Sequence, residues 1–250
     1  MRNTIESITL KFSIMTAIAS HLQTVTRNIE SAALKADRDP KAVTLLAVSK
    51  TRPPEDILEA AEAGQFAFGE NYEQEAIAKI ETIRKSRPDL KLEWHFIGPI
   101  QSNKTRSIAE HFDWVHSVDR EKIARRLSEQ RPNGLPPLNI CLQINISREK
   151  TKSGIFPEEL PKLAKAISAM PKLRLRGLMA IPEPESDPEK QREPFAAMKI
   201  LFDELVQDGY DLDTLSMGMS DDMETAIREG ATTVRIGTAI FGKRSYPDKE

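Results

Sequence analysis

The stretch "LLAVSKTRPP", Leu45–Pro54, is a near-continuous apolar run that ends on a lysine just ahead of a proline pair. An apolar run bounded by turn residues reads as a buried strand, here Val43 to Ser49. The prolines suit the first turn of a helix that begins at Pro53 or Pro54 and is stopped by Gly64. An ammonium is costly to bury unless something uses it. Lys50, at the end of such a strand, therefore asks for a partner or a ligand.

Upstream, "ASHLQTVTRNIESAAL" puts Ile18, Leu22, Val25, Ile29 and Ala33 on one face of a helix from Thr16 to about Ala36. Downstream, short apolar runs alternate with amphipathic helices, as in parallel βα units. The runs are "QFAFG", "LEWHFIG", "WVHSV", "LNICLQIN", "LRLRGLMA", "DTLSMG" and "TTVRIG". Between them the spacing predicts helices over Tyr72–Lys85, Lys104–His111, Asp119–Gln130 with Asp119 as N-cap, Pro157–Met170, Pro194–Gln207 and Asp221–Gly230. The proline- and charge-rich "IPEPESDPEKQ" reads as an exposed loop and a candidate lid. Eight strands and eight helices at this length give an α/β (β/α)8 TIM barrel, with a flavodoxin-like sheet plus appended pieces as the alternative.

The 250 residues suit one such domain over 15–250, preceded by an extension over 1–14 with Met15 as an alternative start. Charged residues make up 30% of the chain and the formal net charge is -2, which excludes a basic field for nucleic acid or anionic membrane. No apolar run approaches the ~20 residues of a membrane helix, and the N-terminus lacks a signal-peptide pattern, so a cytoplasmic location is expected. The single cysteine, Cys141, lies in an apolar strand and reads as a small core residue.

In a barrel the C-terminal strand ends converge on one mouth, where chemistry sits, and phosphate is often held after strands seven and eight. There "SMGMS" and "RIGT" offer the hydroxyls of Ser216, Ser220 and Thr238, close backbone approach at Gly218 and Gly237, and the charge of Arg235. Asp221 and Asp222 would repel a phosphate, so they are expected to turn away and cap the next helix. Barrel closure sets strand one beside strand eight, and Lys50 then faces this site. A lysine amine in an apolar pocket can condense with an aldehyde. An amine near a phosphate site matches pyridoxal 5′-phosphate, which carries both groups. Asn71, at the end of strand two, is a neutral partner for a cofactor oxygen, and Glu70 a candidate for an internal ion pair. His95 reads as a satisfied core imidazole. His111 and His116 show no metal-ligand spacing, so no metal site is assigned.

Together "AVSKT", "FGENYEQE", "EWHFIGPIQSNK", "INISREKTKSG", "LRGLMAIP", "SMGMSDDM" and "VRIGTAIFG" resemble the pyridoxal phosphate homeostasis protein family, similar in turn to the N-terminal barrel of alanine racemase. The resemblance runs from about Thr16 to Tyr246 and implies an internal aldimine on Lys50. It also implies that Ser216, Ser220, Gly237 and Thr238 hold the phosphate, with Arg235 near the pyridine nitrogen or the phosphate. It implies a protein that carries or buffers the cofactor, with possible delivery to apo-enzymes, no established catalysis and a monomeric state. An arginine cannot take a proton from the ring nitrogen, so the ring is a weaker electron sink. Two alternatives stay open: a racemase or lyase using the same cofactor, and a cofactor-free Schiff-base aldolase on a phosphosugar.

Overall fold

Strand β1, Thr44–Val48, is one residue shorter at each end than its apolar run suggests. A computed structural model of the chain describes residues 16–149 and 151–243. Among them, eight parallel strands form one closed barrel in chain order. The others are β2 Ala67–Glu70, β3 Glu93–Phe96, β4 Trp114–Val118, β5 Leu138–Ile144, β6 Leu173–Ala180, β7 Thr214–Ser216 and β8 Thr233–Ile236. Closure is made at β1, where Ala47 pairs with Phe68 on one side and with Ile236 on the other. The helices are α1 Ala17–Lys35, α2 Pro54–Glu62, α3 Glu73–Ser86, α4 Thr105–His111, α5 Glu121–Gln130, α6 Leu160–Ser168, α7 Pro188–Gln207, α8 Met223–Arg228 and α9 Thr238–Phe241. The extension expected over 1–14 lies outside the described residues.

Strand alternation divides the core in two. Val115, Ile140, Leu142, Leu178 and Ala180 belong to the large apolar cluster shared with the helices, whereas Trp114, Cys141 and Met179 form a separate buried cluster. Successive strand residues face opposite sides, so the second cluster lies inside the barrel. Burial pushes the Cys141 thiol up, and it stays protonated as a small core group.

Two local expectations are corrected. Helix α7 starts at Pro188 rather than Pro194, because Asp187 caps it by accepting from the Glu189 N–H at 3.0 Å and Pro188 takes the first turn. Pro194 then sits inside the helix, and the loop after β6 is correspondingly shorter. Asp119 does not cap α5: the N-cap position is Arg120, with no side-chain cap bond, and the Asp119 carboxylate faces that arginine at 3.6 Å.

Candidate functional site

The apolar run carrying Lys50 ends in a tight turn, in which the Arg52 N–H donates to the Ser49 carbonyl at 3.0 Å. Beyond the strand ends lies a cavity of about 570 Å³. Lys50 and Val48 line it from β1, Asn71 from β2 and Ile97 from β3. Ser220, Arg235, Gly237 and Thr238 line it from the segments around β7 and β8. Six of the seven residues expected from sequence therefore share one cavity. Asn71 presents a buried side-chain oxygen, Oδ1, that has no hydrogen-bond partner. A second cavity of about 230 Å³ adjoins through Asn71, Ile97 and Ile181.

Ser216 is the exception. It is fully buried, does not line the cavity, and accepts from Arg235 Nη1 at 2.9 Å from inside the barrel. Its place follows from alternation on β7, which turns it inward below the mouth. Arg235 also donates to the Ala180 carbonyl at 2.9 Å, so two acceptors hold its guanidinium in place beside the cavity. Burial lowers its pKa to about 10.

Below Ser216 the polar chain continues. His116 Nδ1 lies 2.9 Å from Ser216 Oγ, His116 Nε2 lies 2.9 Å from His95 Nδ1, and His95 Nε2 lies 2.8 Å from Glu93 Oε1. Glu93 and His95 open on a third cavity at the N-terminal mouth, of about 240 Å³, beside Arg176 and Asp213. The bond from His95 holds the Glu93 carboxyl below its usual range. Burial, then the charges of His95 and Arg235, push His116 well below the usual imidazole range. One direction of donation satisfies every link: Ser216 to His116, His116 to His95, and His95 to the Glu93 carboxylate. His95 is thus a satisfied core imidazole, as its alternation with Trp94 and Phe96 suggested.

The sequence reading missed three features here. Arg52 adds a second guanidinium to the cavity, donating to the carbonyls of Gly242 and Lys243. Its signal was its place two residues beyond Lys50, in the same strand-end turn. Asp221 lines the cavity instead of turning away. Asp222 occupies the N-cap position of α8 but makes no cap bond; its carboxylate accepts the Met219 N–H three residues earlier. Its carboxyl is pushed up by burial.

The cavity suits pyridoxal 5′-phosphate on its own chemistry. It combines a primary amine, a side-chain amide, two hydroxyls and two guanidinium groups. A Cβ on Gly237 would lie 3.2 Å from the Val48 carbonyl, so glycine lets the backbone lie close there.

The family model "Alanine racemase, N-terminal domain" matches residues 20–245. A curated relative from Pseudomonas aeruginosa, named pyridoxal phosphate homeostasis protein, is 60% identical over 93% of this chain and 98% of its own length. The chain belongs to the pyridoxal phosphate homeostasis protein family. Another family member, from Escherichia coli K12, is 55% identical over 94% of this chain and all of its own length. Among solved structures, PipY of Synechococcus elongatus PCC7942 with PLP bound superimposes with a TM-score of 0.76 at 37% identity, covering 90% of this chain and 100% of PipY. The family assignment agrees with the closed barrel.

Proposed function

We propose that this chain binds pyridoxal 5′-phosphate at the C-terminal mouth of its barrel and carries or buffers it. In this reading it acts as a cytoplasmic monomer that hands the cofactor to apo-enzymes and turns over no amino acid itself. The convergence of Lys50, Asn71, Ser220, Arg235, Gly237 and Thr238 on one cavity carries the reading. When bound, the cofactor supplies an aldehyde that condenses reversibly with a primary amine, a phosphate, and a ring whose nitrogen tunes its electron demand.

Lys50 would take the aldehyde carbon, forming a carbon–nitrogen double bond as one water leaves. Ser220, Gly237 and Thr238 would hold the phosphate through hydroxyl and backbone groups. Asn71 Oδ1 would gain the donor it lacks. Ser216 would act indirectly, by fixing Arg235. Two features favour storage over turnover. Arg235 is a fixed donor, unable to take a proton from a ring nitrogen. In addition, the described residues lining the cavity include no tyrosine, histidine or cysteine, and Asp221 is their one carboxylate available as a second acid or base.

Spectra of the purified protein with added pyridoxal 5′-phosphate, before and after borohydride reduction, test this directly. The expected result is a near-ultraviolet or visible band that is absent in Lys50→Ala, and a reduced adduct with the mass of pyridoxyl phosphate on Lys50. No band, or sustained exchange of an amino-acid α-proton with deuterium, would overturn it.

A further inference from the structure

Lys79, on α3, is only 4% exposed, and the proposed function gives it no task. Its ammonium has three acceptors: the Ser49 carbonyl at 2.9 Å, Glu70 Oε1 at 2.7 Å and Glu75 Oε1 at 2.7 Å. The same two carboxylate oxygens reach the chain on either side of Lys50. Glu70 Oε1 accepts the Ser49 hydroxyl at 2.7 Å, and Glu75 Oε1 accepts the Thr51 N–H at 2.6 Å.

One buried cation therefore ties down both neighbours of Lys50. The backbone shows why a tie is needed. Thr51 has φ +64°, left-handed, which a β-branched residue adopts only when its surroundings hold it there. It is the third residue of the Ser49–Arg52 turn, a position at which positive φ favours glycine or asparagine. A turn relaxed to negative φ would aim the Lys50 side chain elsewhere. Charge points the same way. Burial pushes the Glu70 carboxyl up, and Lys79 is the main influence opposing this. Without that ammonium, Glu70 and Glu75 would lose the cation they share a few residues from the reactive amine.

We propose that Lys79 is a positioning residue: through Glu70 and Glu75 it holds the left-handed turn that presents the Lys50 amine to the cofactor aldehyde. The inference rests on the reading of Lys50 above. It predicts that Lys79 governs bond formation at Lys50 rather than general affinity for the ligand.

Two probes separate these effects: pyridoxal 5′-phosphate, and 4-deoxypyridoxine 5′-phosphate, which has the ring and phosphate but no aldehyde. In Lys79→Met the lysine-bound absorbance band should form about tenfold more slowly or less completely. Affinity for the deoxy compound, measured by calorimetry, should stay at the wild-type value, and Lys79→Arg should restore the band. Should Lys79→Met fail to fold, Glu75→Ala, at a partly exposed position, removes the Thr51 anchor and should show the same split. Equal loss of both ligands, or a wild-type band in the variant that folds, overturns the proposal. A wild-type protein that forms no band overturns instead the reading of Lys50 on which it stands.

Discussion

The guanidinium of Arg235 donates to Oγ of Ser216 across 2.9 Å, entirely inside the barrel. Ser216 therefore serves as the platform under a cation beside the cavity, and His116 stands directly beneath it. Removing the hydroxyl would leave both Arg235 Nη1 and His116 Nδ1 without this partner. Ser216→Ala should destabilise the protein by about 1–3 kcal/mol, the usual penalty for an orphaned buried polar group, as read from urea denaturation. Wild-type stability in this variant would show that water or a neighbour replaces the hydroxyl.

His116 gives the fold a pH dependence whose sign is fixed. Its folded pKa is pushed well below the ordinary value of 6.5, so the unfolded chain binds a proton that the folded one refuses. Stability is complete above about pH 6.5 and falls as the pH drops below it. Between pH 7.5 and 5.5 the wild type should lose stability relative to His116→Gln. Denaturation midpoints of both proteins at the two values measure the difference. Parallel curves would mean that folding leaves the proton affinity of His116 unchanged.

Burial likewise decides the chemistry of Cys141, whose thiol is fully buried and held protonated. Native protein should leave it unmodified by a thiol-specific reagent such as 5,5′-dithiobis(2-nitrobenzoic acid), and unfolding in urea should release one reactive thiol per chain. Rapid labelling without denaturant would show that the barrel interior opens.

The barrel was legible because its strands are short apolar runs set between helices of clear 3.6-residue period, and the mouth because strand ends are countable. Lys50 and Arg235 stand out as charges in apolar strands, a local signal. Ser216 lies one layer below its expected place, since a serine opening "SMGMS", two residues before Gly218, looks like a loop donor until β7 alternation turns it inward. The His116 and Lys79 networks left no such trace. Lys79 reads as one more helix lysine, and its three acceptors come from positions 4, 9 and 30 residues away. Asp222 departs from expectation because an acidic residue before a helix usually caps it, whereas here the local turn back to Met219 claims the carboxylate.

Two glycines sit where neighbouring backbone segments approach closely. A Cβ on Gly98 would sit 2.1 Å from the Asn71 carbonyl oxygen, and one on Gly177 would sit 1.6 Å from the Thr214 carbonyl oxygen. Both contacts are with backbone, which cannot swing aside as a side chain can, so alanine at either position must push two chain segments apart. Both variants should lower stability by about 1–3 kcal/mol, the range of overpacking. Only Gly98→Ala displaces a residue lining the cavity. It should also weaken pyridoxal 5′-phosphate binding by about tenfold or more, because Asn71 carries the unsatisfied oxygen there. Gly177→Ala, whose clash lies between β6 and β7, should bind as the wild type does at temperatures where it stays folded. Titration of both variants with the cofactor, followed by absorbance, decides the matter: equal affinities would remove Asn71 from the site.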